Sequence, residues 1–206
     1  NEMVGQADVL RVHDDINHWK AETLDLSPIL FKEPANEAVG LYKQQEQDHN
    51  IAGFFDWKIL EKVKDTLETK KPVKAEFVIK NTDRSIGALL SNEISKRYKG
   101  EGLPEDTIQL KFRGYAGQSF GAFSAKGISF ELEGEANDYF GKGLSGSKMV
   151  VYPDRETKFK PEENVIIGNV AFYGATSGEA YINGYAGERF AVRNSGVTAV
   201  VEGVGR

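Results

Sequence analysis

Close pairs of acidic residues are the first candidates for chemistry: Glu131 and Glu133 stand two apart, and Glu135 stands three before Asp138. Two carboxylates in one cleft can act as proton donor and acceptor on a sugar. Acidic side chains are mostly solvated, however, and the clustered aspartates with a neighbouring base that a calcium-assisted lyase needs are missing. Ser119, Ser124, Ser145 and Ser195 share the stretch after Gly114 with no histidine, so a hydroxyl nucleophile there has no base. The three histidines, His13, His18 and His49, lack cysteine neighbours and the i, i+4 spacing of a zinc helix. A surface role is expected for them.

Glycine-rich loops are the other chemical lead. Gly114, Gly117 and Gly121 resemble a nucleotide loop only loosely, because the dinucleotide fingerprint needs GxGxxG between a strand and a helix, and β-branched runs follow here. Gly141-Lys142-Gly143 lacks both the glycine five positions earlier and the Ser or Thr after lysine that a phosphate loop requires. We therefore expect no catalytic, cofactor-binding or metal-ligating residue in this chain.

Composition narrows the classes further. The 206 residues carry a net charge of −5 with acidic and basic residues mixed, which argues against a nucleic-acid footprint. With no cysteine, disulfides, thiolate catalysis and cysteine-ligated clusters drop out, and a reducing, cytoplasmic compartment is allowed. No apolar run approaches the roughly 20 residues of a membrane span, and the start does not read as a signal peptide. Position 1 is not Met, and the ending VEGVGR falls inside a repeat unit, so a segment of a longer polypeptide is expected.

What must position any site is a repeat. GYAGQSFGAFSAKGISFELEG, from Gly114 to Gly134, recurs as GYAGERFAVRNSGVTAVVEG from Gly184 to Gly203. Such self-similarity marks a solenoid, whose units bury their apolar faces against one another. Glycines at 114, 134, 168, 184 and 203 leave intervals of 20, 34, 16 and 19 residues. The long interval contains the polar segment YPDRETKFKPEEN, read as a loop pushed out of one coil. Between the glycines the runs are short and β-branched, of strand length. Coils of about twenty residues stacked at strand spacing suit a β-helix. The glycines expected at corners with positive φ or close approach are Gly114, Gly117, Gly134, Gly168, Gly184, Gly187 and Gly203. Ordinary hairpins are the alternative, yet only Asn183-Gly184 carries a hairpin signal.

Before the repeats, residues 1–55 read as a polar linker or clamp and 56–105 as a small α+β cap. Asp56 is placed to N-cap a helix running to about Glu68, stopped by Lys71-Pro72. Val73 to Ile79 alternate as a half-buried strand. Asp83 is expected to cap a second helix, with Gly100 at its C′ position. Thr107 to Phe112 begins the coils, which run over 106–206, incomplete at the C-terminal end. Cap and coils are best treated as one structural domain of a larger chain.

The runs EGLPEDTIQLKFRGYAGQSFGAF, ELEGEANDYFGKGLSGSKMVVYP and GNVAFYGATSGEAYINGYAGERFAVRNSGVTAVVEGVG resemble the C-terminal GXGXG domain of the glutamate synthase large subunit, and HWKAETLDLSPIL resembles the link entering it from a flavin-binding barrel. The resemblance implies a mainly β fold, a right-handed parallel β-helix (single-stranded solenoid) after the cap and linker. It also implies a parent enzyme that uses FMN and an iron-sulfur cluster, with the amidotransferase and FMN-barrel domains on the same polypeptide and a small electron-transfer subunit or ferredoxin as donor. None of that family's catalytic, FMN or cluster residues maps onto this segment. The expected function is a scaffold supporting internal ammonia transfer. Alternatives are a standalone subunit or binding module, as in the similar subunit of formylmethanofuran dehydrogenase, and an independent carbohydrate enzyme.

Overall fold

The computed structural model describes residues 2–40 and 42–205, which divide into two units, residues 1–49 and 50–206. The first unit is turns, a 3-10 turn at Ala7–Val9 and a four-residue helix, α1 (Trp19–Glu22). None of its described residues is fully buried, and Trp19, Leu24, Ile29 and Phe31 are exposed. So short a segment holds too few apolar side chains to bury them on each other. His18 Nδ1 accepts the Lys20 N–H at the start of α1, and His13 Nδ1 accepts that of Asp15.

The second unit begins with α2 (Asp56–Thr69), which buries Ile59, Val63 and Leu67 on one side and stops at Lys70 in the left-handed region. β1 (Val73–Ile79) follows, then α3 (Ala88–Tyr98). Asp56 does not cap its own helix. Its carboxylate crosses to α3, accepting the N–H groups of Gly87 and Leu89 at 2.8 Å and of Leu90 at 3.3 Å. Asp83 does not cap α3 either; it closes the preceding turn by accepting the Lys80 N–H. At the other end of α3 Lys99 is the C-cap and Gly100 stands at C′ as expected, but the positive φ, +52, falls on Lys99. Arg97 pairs with Glu68, and the Tyr98 hydroxyl donates to the Leu67 carbonyl, so the two helices are tied at both ends.

Among the described residues six more strands complete the sheet: β2 (Ile108–Ala116), β3 (Ile128–Ala136), β4 (Ser145–Tyr152), β5 (Val165–Ile167), β6 (Ser177–Ala186) and β7 (Val197–Val204). Every pairing between them is parallel, which excludes the hairpin alternative; Asn183-Gly184 lies inside β6. The fold is mainly β, a seven-stranded parallel sheet with few helices.

The register is regular. Leu110 pairs with Phe130, Phe130 with Met149 and Ala180 with Ala199, offsets of 20, 19 and 19 residues. From Met149 to Ala180 the offset is 31, because Tyr152 stands opposite Glu133 while Ile167 stands opposite Ala136. Three residues of β3 thus match fifteen between Tyr152 and Ile167, and the extra twelve form the polar segment. It leaves from the middle of a strand line, with β4 and β5 lying on either side of it. Alternate strand residues point inward, so Leu110, Phe130, Met149 and Ala180 lie in one buried row and Phe112, Leu132, Val151 and Ile182 in the next. Each large side chain so buried contributes about 1.5–3 kcal/mol.

Candidate functional site

Four connecting turns stack beside the sheet, and each alternates residues of positive φ: Ser119, Gly121, Phe123; Tyr139, Gly141, Gly143; Val170, Phe172, Gly174; Arg189, Ala191, Arg193. The alternation turns successive N–H groups to opposite neighbours. Ser119 donates to the Asp138 carbonyl and Phe123 to that of Lys142, while Gly141 donates back to Phe120, at 2.8–2.9 Å. The next turns repeat this through Tyr139 to Asn169, Phe172 to Phe140, and Gly143 to Tyr173. A ring column runs inside them: Phe120 to Phe140 at 5.9 Å, Phe140 to Phe172 at 5.5 Å, and Phe172 to Phe190 at 5.6 Å. Eight left-handed residues here are not glycine and were missed in the sequence. Their signal was the every-other-residue glycine spacing at Gly121, Gly141, Gly143 and Gly174.

The corner glycines occupy two lines. Gly114 and Gly134 face each other within β2 and β3, and a Cβ on Gly134 would overlap the Gly114 carbonyl oxygen. Gly184 lies in β6 and Gly203 in β7, where Gly203 stands opposite Tyr185 after a register shift. Gly117, Gly168 and Gly187 belong to the other line, at the turn entrances: Gly168 donates to Ala136 and Gly187 to Ile167. The interval of 34 residues assigned to Gly168 therefore joined two different lines. Asp138 Oδ1 accepts the Asn169 N–H, and Asn169 Oδ1 accepts that of Glu188, each at 2.8 Å, so this line is also a ladder of side chains.

On the outward face of the sheet the paired carboxylates meet cations. Lys111 Nζ lies 3.2 Å from Glu131 and 3.5 Å from Glu133, and Arg113 Nε lies 3.4 Å from Glu133. The Tyr152 hydroxyl donates to Glu131, and Arg155 reaches Glu133 at 4.0 Å. The Tyr152 hydrogen bond, helped by Lys111, holds the Glu131 carboxyl below its usual range, while burial and then Glu131 push the Tyr152 phenol up. Glu131 raises the Lys111 ammonium through a hydrogen bond. Proton exchange at neutral pH needs a group poised between its two forms, and these shifts move each group away from that point. Asp138 is held as a backbone acceptor. Ser124 and Ser147 share a buried hydrogen bond of 2.6 Å, remote from any histidine in sequence.

A concavity of about 900 Å³ lies in the first unit among Leu10, Val12, Ile16, Leu24, Phe31 and neighbouring polar residues. No helix of the described residues is long and apolar enough to cross a membrane.

A family model described as the GXGXG motif matches residues 56–206. The chain belongs to the GXGXG family. Along its whole length this GXGXG chain is 54% identical to the glutamate synthase [NADH] of Schizosaccharomyces pombe and 53% identical to the glutamate synthase [NADPH] large chain of Bacillus subtilis. It is 39% identical to the chloroplastic ferredoxin-dependent glutamate synthase of Spinacia oleracea. The GXGXG chain covers 10%, 13% and 13% of those proteins, about a tenth of their length.

Proposed function

We propose that this chain is a scaffold domain of a glutamate synthase, holding an amidotransferase and a flavin-binding synthase domain of one polypeptide in register for internal ammonia transfer. The reaction served is reductive transfer of the glutamine amide nitrogen to 2-oxoglutarate, giving two glutamates. The observation that carries this reading is whole-chain identity of 54% to a tenth of a glutamate synthase. In it, residues 106–206 are coils of a right-handed parallel β-helix, 56–105 its cap and 1–55 the link. The 19–20-residue register and the stacked turns support coils about 4.8 Å apart, and parallel crossovers are right-handed as a rule. Hydrogen bonds on both the strand and turn sides make such a stack stiff, and fixed spacing is what transfer between distant sites requires.

The catalytic groups of the parent lie elsewhere in this reading. The usual thiolate ligands of an iron-sulfur cluster cannot come from 206 residues without cysteine, and Glu131, Glu133 and Asp138 are already engaged. FMN, the cluster and a ferredoxin or small electron-transfer subunit belong to the rest of a cytoplasmic enzyme. Gly117→Val in the complete polypeptide tests the scaffold, since a Cβ there meets the Asn81 and Asp83 carbonyl oxygens at 2.6 Å. Glutamine-dependent glutamate synthesis is expected to fall while glutaminase chemistry is retained. Equal loss of both would defeat the reading.

A further inference from the structure

We infer that the ridge formed by Phe123, Tyr139 and Lys142 is the contact through which this domain bears on a neighbouring domain of the same polypeptide; this rests on the scaffold reading above. A bulky residue in the left-handed region is strained, and such strain persists where something repays it. Phe172 has φ +56 and is repaid by complete burial between Phe140 and Phe190. Phe123 has φ +57 and is 59% exposed; Tyr139 has φ +63 and is 37% exposed. At the matching place in the next two turns stand Gly143 and Gly174, residues that enter this region without strain. Inside the fold the Phe123 ring gains only a contact on Gly143 and one with the Lys142 ammonium, and most of it stays in solvent. Its ring lies against Gly143, where a Cβ would come within 2.5 Å of it, so the ring is held in place on the surface. Lys142 Nζ sits 5.9 Å from the Phe123 ring and 5.4 Å from that of Tyr139, and forms no ion pair among the described residues.

Two preset rings beside an unpaired ammonium fit an apolar side chain flanked by a carboxylate. The occupant is a surface segment of that kind on another domain, since this chain, matched along its whole length, covers only 10% and 13% of two such proteins. The test replaces Phe123 by the photo-crosslinking p-benzoylphenylalanine in the complete enzyme. Irradiation is expected to give an intrachain crosslink to a peptide outside residues 1–206 that carries an apolar residue next to Asp or Glu. In Phe123→Gly, which removes the strain as well as the ring, amide exchange of that peptide should rise about tenfold, as for an interface anchor of ~1.4 kcal/mol. Crosslinks confined to residues 1–206, to a second copy or to a separate protein would overturn the inference, as would unchanged exchange in Phe123→Gly. Uncoupling by Gly117→Val without a crosslink leaves the scaffold and removes this contact; a crosslink without uncoupling does the reverse.

Discussion

Asp56 and Gly87 lie 31 positions apart, and the Gly87 N–H donates to the Asp56 carboxylate at 2.8 Å. With Leu89 and Leu90 donating to the second oxygen, one buried side chain satisfies the N-terminal amides of α3 from another helix. Asp56→Ala leaves those amides without an acceptor, and a loss of about 2–3 kcal/mol is expected. Hydrogen exchange of the Leu89 and Leu90 amides checks it: both should exchange faster, while the β3 amides change less.

Two carboxylates should make opposite contributions to stability as pH changes. Burial pushes Asp56 above its ordinary 3.8, so its favourable contribution is present below that value and fades as pH rises through the folded value. The Tyr152 bond depresses Glu131 below 4.5, so its contribution is present above 4.5 and fades as pH falls through the lower folded value. In thermal melts from pH 3 to 7, Glu131→Gln should cost most at pH 7 and Asp56→Asn most at pH 3. Parallel profiles for the two variants would contradict this assignment.

Glycine-to-alanine substitutions should fall into three grades. At Gly134, φ is +146 and the added Cβ overlaps the Gly114 carbonyl oxygen, so Gly134→Ala should cost about 4 kcal/mol or more. At Gly174, φ is +62 but the space is open, and Gly174→Ala should cost only about 1–2 kcal/mol. Gly100 has neither restriction, so Gly100→Ala should be neutral or stabilising by up to about 1 kcal/mol. Denaturant midpoints order the three.

Phe172→Ala removes the ring that links Phe140 to Phe190, and about 3–5 kcal/mol is expected to be lost. Arg155→Ala should cost under about 0.5 kcal/mol, because its 4.0 Å pair with Glu133 is exposed on the arginine side. The contrast in melting temperature separates core packing from surface pairing.

Periodicity and local propensity made much of this molecule legible. The 70 residues from GYAGQSF to GYAGERF span three stacking offsets of 20, 19 and 31, and strand-length β-branched runs became parallel strands because alternate residues face one buried row. The two helices before the repeats were readable from their apolar spacing. Partners distant in sequence were not: Asp56 reads as a local cap, and only the packing of α2 beside α3 makes the second helix its target. Gly168 reads as a repeat of Gly134, but the twelve-residue excursion shifts it to the line of Gly117 and Gly187. Phe123, Tyr139 and Val170 carry no local preference for positive φ, and inter-turn hydrogen bonds hold them there. The sequence by itself determined the repeat, its period and the strands, because those follow from side-chain alternation within a few residues. Tertiary structure decided which groups meet and which residues bear strain, because those depend on the backbone stacked one turn away.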